Sequence, residues 1–278
     1  MKPRLAIAYS VNDPAGKGAA EKLLRLYEWS PYECNHAVEC FRLSNGVVMG
    51  GYREETIHFD FIDETPDPSA DAVIILSRHS AVSGRPSLTT HHTGNPTERA
   101  EYGGEPYKLS IAAPPLSRAL LRMYRSEAEK LGLLNEYEVT LEATHHGPTK
   151  PSKPLVFIEI GSTPDRWRDE RARLAMARAV ARVIDGEIED CEPAAGFGEP
   201  HYPVKFTRIH LDGDYCMGHI IAKYAIPGAN EDVIAQAVKN NWPRPTTTAL
   251  VQKKAARSEV RRRLVKTLED LGVNVVII

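Results

Sequence analysis

Short apolar runs separated by polar, turn-rich stretches organise the chain. Leu5-Ala6-Ile7-Ala8-Tyr9 is a strand followed by a Gly/Pro/Asp loop, and a helix is predicted from Lys17 to Tyr27. Within Val38–Phe61, Val38–Leu43 and Thr56–Phe61 alternate as strands do, and Asn45-Gly46 marks a hairpin. Ala72–Leu76 and Leu155–Ile160 are near-continuous apolar runs, the pattern of central strands buried on both faces. Ser77–Tyr107 shows no periodicity and reads as a long functional loop. Leu116, Leu120, Tyr124, Ala128 and Leu131 repeat at helical spacing between Pro114 and Gly132. Glu138–Ala143 alternates again. Thr163 caps a helix with Pro164 at its first position, running to Ile184 before Gly186. Pro193–Pro203 reads as loop, Val204–Ile209 and His219–Ile226 as strands. Asn230 opens a helix to Asn240, and Ser258 opens another ending at Gly272, before a last strand at Val273–Ile278.

Strands alternating with helices predict an α/β fold: a single three-layer α/β/α domain spanning 1–278, with a mixed, largely parallel sheet. The net charge of −2 excludes a generally basic nucleic-acid binder, so RNA would need a local positive face. Two stretches offer one, Arg166–Arg182 and Arg257–Arg263; the first reads better as a solvated helix face. Cys34, Cys40, Cys191 and Cys216 show no CxxC spacing and no evident disulfide framework. Lys2-Pro3-Arg4 leads straight into a strand without a signal peptide, and no apolar run approaches the roughly 20 residues that span a bilayer. The expectation is a cytoplasmic protein with no membrane partner, a monomer or weak homodimer.

The chemistry lies in two histidine doublets, His91-His92 and His145-His146, each between Thr and Gly/Pro residues. Histidine titrates near neutral pH and is the commonest metal ligand. In an open α/β sheet the loops beyond the strands' carboxyl ends carry the site. Ala72–Leu76 feeds Arg78, His79 and Ser80, and Val139–Ala143 feeds the second doublet. Adjacent histidines on a strand face opposite ways, so one doublet seldom supplies two ligands to one ion. A zinc set of His91, His145, Glu142 and His79 is one option, and a metal-free histidine base is the other. Candidate catalytic residues are His91, His92, His145 and His146, with Thr93 and Thr144 holding the oxyanion. Candidate substrate contacts are Arg78, Ser80, Ser83, Gly84, Arg85, Gly94, Gly147, His201 and Lys205. Glycine lacks a Cβ and lets a substrate approach closely.

Longer motifs make the picture specific. Ser77-Arg78-His79-Ser80 with Ser83–Thr89, His91–Pro96, Glu142–Thr149, Phe157–Thr163 with Trp167, Gly198–Thr207, and Gly218–Ile220 with Lys223–Ala225 together resemble the archaeal and plant type of D-aminoacyl-tRNA deacylase. The resemblance covers nearly the whole chain. It implies hydrolysis of the ester between a D-amino acid and the terminal ribose of tRNA, zinc dependence, the acceptor end of D-aminoacyl-tRNA as partner, and a fold like the phosphorylase and peptidyl-tRNA hydrolase type. The family's Gly-rich run before the His-Tyr pair is here Ala195–Pro200, with fewer glycines. The RNA's own ribose hydroxyl is a further candidate for activating water. The rival readings are a peptidyl-tRNA hydrolase-like enzyme or zinc amidase, a non-catalytic tRNA-binding protein, and a nucleoside phosphorylase.

Overall fold

The computed structural model describes residues 3–278, so Lys2 of the basic start lies outside the described residues. Strand β1 (Leu5–Ser10) is buried throughout. Helix α1 (Pro14–Leu24) begins three residues ahead of the expected start, because Asp13 accepts the Ala15 and Gly16 N–H groups and Pro14 takes the first position. Strands β2 (Ser30–Pro31), β3 (Glu39–Arg42) and β4 (Val48–Tyr52) follow. β3 and β4 form the expected hairpin, with Gly46 at φ +92° and the Asn45 side chain accepting the Val47 N–H. Thr56–Phe61 is not a strand: Thr56–His58 is one 3-10 turn, which tucks Phe59 against Tyr52.

Strand β5 (Ala72–Ser80) extends through His79. β6 (Ser87–His91) and β7 (Gly94–Asn95) replace much of the expected loop. Every residue of β6 is buried, so it has no solvent face to impose alternation. Then come β8 (Lys108–Leu109), β9 (Ile111–Ala112), α2 (Pro114–Lys130), β10 (Glu138–Leu141) and β11 (Pro154–Ser162). The helix expected from Thr163 is broken into α3 (Pro164–Trp167) and α4 (Glu170–Ile184). Thr163 makes no side-chain cap, whereas Asp169 accepts the Arg171 and Ala172 N–H groups. Two further expectations fail. Glu192–Phe197 is a strand, β12, buried from Pro193 onward, rather than loop, and its Ala-Ala-Gly content hides it. Val204–Asp212 is helix α5 rather than strand: Phe206, Thr207, His210 and Leu211 are buried at helical spacing. The chain closes with β13 (Tyr215–Ile221), α6 (Glu231–Lys239) capped by Asn230, β14 (Thr248–Val251), α7 (Ser258–Asp270) and β15 (Asn274–Ile277). Ser258 is the first residue of α7, not its cap.

The expected mixed, largely parallel sheet is present in the order β10-β6-β11-β5-β1-β4-β3-β2, with β9 added to β11. Helices α1, α2 and α4 cover one face through Ile7, Ile74, Leu76, Leu120, Ile158, Ile160 and Val180. The opposite face is apolar around Phe59, Ile62, Val73, Ile75, Leu155 and Phe157. A second, parallel sheet, β13-β12-β14-β15, was not expected. Leu121, Leu141, Phe206, Met217 and Ile220 form an apolar cluster that joins the two sheets.

The cysteine reading is corrected. Cys34 bonds to Cys40, and Cys191 to Cys216. The second pair joins the residue just before β12 to the neighbouring strand β13, where Cys216 stands opposite Pro193, a proximity that sequence spacing does not reveal. The cysteines therefore give no support to a reducing compartment. Among the described residues no helix is long and apolar enough to cross a membrane.

Candidate active site

β11 lies between β5, which it meets in parallel, and β6, which it meets antiparallel. Alternate residues of the three strands share a face, placing Glu159 beside Ser77 and Thr89, and His79 opposite Gly161. His91 ends β6 opposite Phe157. The loop after β10 brings Glu142, His145 and His146 to the same place, held by Gly94 N–H bonds to the His145 and His146 carbonyls. His201 arrives from the loop before α5, with its own carbonyl accepting the Ala143 N–H.

These residues form one network. Glu142 is fully buried, and its Oε2 lies 2.8 Å from His201 Nε2, 3.0 Å from His79 Nδ1 and 3.6 Å from His145 Nε2. Glu159 Oε2 lies 3.4 Å from His79 Nδ1 and 3.5 Å from His91 Nε2. The His145 ring centre is 4.4 Å from that of His91 and 4.3 Å from that of His146. Tyr202 Oη lies 2.8 Å from His79 Nε2. Three of the imidazoles turn Nδ1 toward a backbone carbonyl: His145 to Ala143 (2.8 Å), His146 to Gly147 (2.6 Å) and His91 to His92 (3.3 Å). A carbonyl can only accept, so Nδ1 carries the proton and Nε2 is left for the cluster.

Burial and charge split the imidazoles into two kinds. Burial opposes a charge on His79, but the Glu142 and Glu159 carboxylates beside it outweigh that and raise its pKa to about 11. His91 is also raised, by the Glu159 charge working against burial. Burial, with neighbouring imidazoles, pushes His145 well below the ordinary value and His146 down to about 4. Against the penalty of burial, His201 and His79 hold Glu142 well below the usual carboxylate range, while His91 and His79 hold Glu159 at about 2. Two buried carboxylates thus require positive charge between them, as a proton or a metal ion.

Two groups of donors could hold such an ion: His79, Glu142, His145 and His201, and His91, His145 and His146. Within each, the donor atoms lie within 4.8 Å of one another. His91 Nε2, Glu142 Oε1 and Glu159 Oε2 are buried without hydrogen-bond partners, which suits a cation-binding centre. The cluster stands where two clefts meet, one of about 680 Å³ and one of about 440 Å³, sharing Tyr102, His145, His146 and His201.

Several expected residues sit elsewhere. His91 joins the second donor group, and His201, expected to bind substrate, takes its place in the first. His92 points away from the cluster; it is buried against Gly218 and His219, and burial lowers its pKa well below the ordinary value. His145 and His146 do share one centre, because they lie past the end of β10 and His146 adopts φ +45°. The Thr93 hydroxyl donates to the Pro148 carbonyl, while that of Thr144 accepts the Ile220 N–H and meets His219 Nδ1. Both are buried framework groups, not free oxyanion donors. Gly147 is packed against Gly103, Gly104 and the Ile57 carbonyl, and Gly94 against Leu109 and Thr144, so these missing Cβ atoms admit the protein itself. Of the three expected glycines only Gly84 is not tightly packed, a Cβ there meeting nothing nearer than Thr163 Cγ2 at 3.8 Å. Arg78 pairs with Glu55 and lies over Trp167; Arg85 pairs with Glu138 and lies over Tyr202. Ser80 and Ser83 are exposed near them, as is Lys205 at the start of α5. Glu159 was missed, although a carboxylate inside a continuous apolar run was its signal.

A family model described as D-aminoacyl-tRNA deacylase matches residues 66–276. The D-aminoacyl-tRNA deacylase of Aeropyrum pernix is 47% identical over 98% of this chain and 99% of its own length. The chain belongs to the D-aminoacyl-tRNA deacylase family. The D-aminoacyl-tRNA deacylase of Hyperthermus butylicus is 42% identical over 89% of this chain and 92% of its own. A solved crystal structure, titled a conserved protein of unknown function, superposes with a TM-score of 0.90 at 29% identity, covering 99% of this chain and 95% of that one. The residues matched by the family model include β5, β6, β10 and β11, the strands that reach the cluster.

Proposed function

We propose that this chain hydrolyses the ester between a D-amino acid and the terminal ribose of tRNA, releasing free D-amino acid and tRNA, with zinc as its cofactor. The observation that carries this reading is the convergence of histidines and two buried carboxylates at the junction of two clefts. An ester has two halves, and the clefts offer each half a side of the cluster. The wider one is edged by Tyr102 and Tyr224, 71% and 65% exposed, whose rings suit stacking on an unpaired base. The narrower one, lined by Asp13, Glu55, Arg78 and Glu159, receives the amino acid.

His79, Glu142, His145 and His201 would hold zinc, which when bound supplies Lewis acidity toward the ester carbonyl and lowers the pKa of a water. The neutral imidazole of His146, which lies outside that donor group, accepts the proton of the attacking water through Nε2. Glu159 keeps His91 and His79 oriented from beneath. Release of the acyl group from D-Tyr-tRNA, L-Tyr-tRNA and N-acetyl-Tyr-tRNA, measured with and without chelator, tests the reading. Rapid release from the D-ester alone, lost on chelation and restored by zinc, is expected. Preference for the N-acetyl substrate would favour a peptidyl-tRNA hydrolase-like enzyme. Binding without turnover would favour a tRNA-binding protein.

A further inference from the structure

Two arginine-rich stretches run along this chain, and the structure treats them differently. On α4, Arg171 pairs with Glu136, Arg173 with Glu170, Arg178 with Glu127 and Arg182 with Glu187. That face is neutralised. Residues 253–270 carry seven cations against three acids, in a chain whose net charge is −2. Among the described residues, Lys253, Lys254, Arg257, Arg262, Arg263 and Lys266 form no ion pair, and all six are exposed. The apolar side of α7 is already occupied, with Leu264 and Leu268 buried in the core of the second sheet and Val260 and Leu271 packed against it. The free face of this helix is therefore charged rather than amphipathic, which suits a polyanion and not a bilayer.

This surface is tied to the active site through one residue. Glu199 is buried, and its side chain accepts from Gln252 Nε2 at 3.0 Å while its N–H donates to Gln252 Oε1 at 3.2 Å. The same carboxylate accepts the Lys205 N–H at 2.6 Å, and the Glu199 carbonyl accepts the Lys223 N–H at 2.8 Å. Three lysine-bearing segments thus converge two residues before His201, whose ring bonds Glu142. Lys205, Lys223, Lys253 and Lys254 are all exposed there.

We infer that Lys253, Lys254 and the outer face of α7, continued by Lys223 and Lys205, dock the phosphate backbone of the tRNA acceptor arm and lead its 3′ end to the histidine cluster. This inference rests on the D-aminoacyl-tRNA reading above. Polyanion binding of this kind is salt-dependent, and each lost phosphate contact lowers the slope of log affinity against log salt by roughly 0.7–0.9.

The test compares the whole wild-type chain with K253E/K254E/R257E, and with R262E/K266E as a second variant. Kd for uncharged tRNA and KM for D-Tyr-tRNA are measured across a salt series, alongside turnover of 3′-O-(D-tyrosyl)adenosine. Expected are a rise of about tenfold or more in Kd and KM, a salt slope smaller by about two, and unchanged turnover of the small ester. Unchanged tRNA affinity and slope in both variants, with unaltered unfolding midpoints, would overturn the inference. So would tighter wild-type binding to phosphatidylserine vesicles than to tRNA. A wild-type chain that binds tRNA through these residues but does not deacylate it would sink the proposed reaction and leave the docking surface standing.

Discussion

Glu142 is the residue on which the cluster turns, since three imidazoles contact a single carboxylate oxygen with no solvent beside it. His146→Gln should lower kcat for D-Tyr-tRNA by about 10²–10⁴-fold, the range for removing a proton-accepting side chain. His92→Gln should leave kcat within a few-fold, because that ring packs on Gly218 and His219 outside the cluster. Comparing the two variants under one assay checks that the second doublet acts in the cluster and that His92 does not. The doublets were legible because histidine beside glycine and proline in polar segments is poor core material. The partners His79, Glu142 and His201 were legible as candidates too. What could not be read was which ring of a doublet faces inward: that depends on whether the pair lies on a strand or past its end, a matter of one residue.

At the scale of elements, the cap of α1 carries a pH dependence. Burial raises the Asp13 pKa from 3.8 to about 6, against backbone N–H bonds that favour its charge. The folded state therefore binds the proton more tightly than the unfolded state. This contribution to stability is complete below pH 4 and is lost as pH rises through about 6, amounting to about 3 kcal/mol. Urea titrations from pH 4 to 7 should show that decline in the wild type and its absence in Asp13→Asn. Thr144→Val should cost about 1–3 kcal/mol in the same assay, because it removes the acceptor for the Ile220 N–H that ties the histidine loop to β13. Central strands β1, β5 and β11 announced themselves as apolar runs. β6 and β12 did not: each is buried, polar or small in content, and shaped by its neighbours rather than by its own side chains.

The described residues form two large sheets joined by an apolar cluster, beside a two-stranded β7-β8 sheet, with the histidines where loops from the large sheets meet. The Cys191–Cys216 bond closes a loop of 25 residues, and C191S/C216S should lose about 3 kcal/mol of stability by denaturant unfolding. The second sheet was illegible in the sequence because β12 is built of small residues and β14 is only four residues long. The family motifs, by contrast, span both sheets, which is why the reaction could be read before the architecture. The account stands on the claim that the buried carboxylate and its imidazoles are the hydrolytic centre. Single-turnover release of D-tyrosine from D-Tyr-tRNA by Glu142→Gln, at saturating enzyme, tests it most directly. The expected result is a rate at least 100-fold below wild type with tRNA affinity retained; release at the wild-type rate from the folded variant would contradict it.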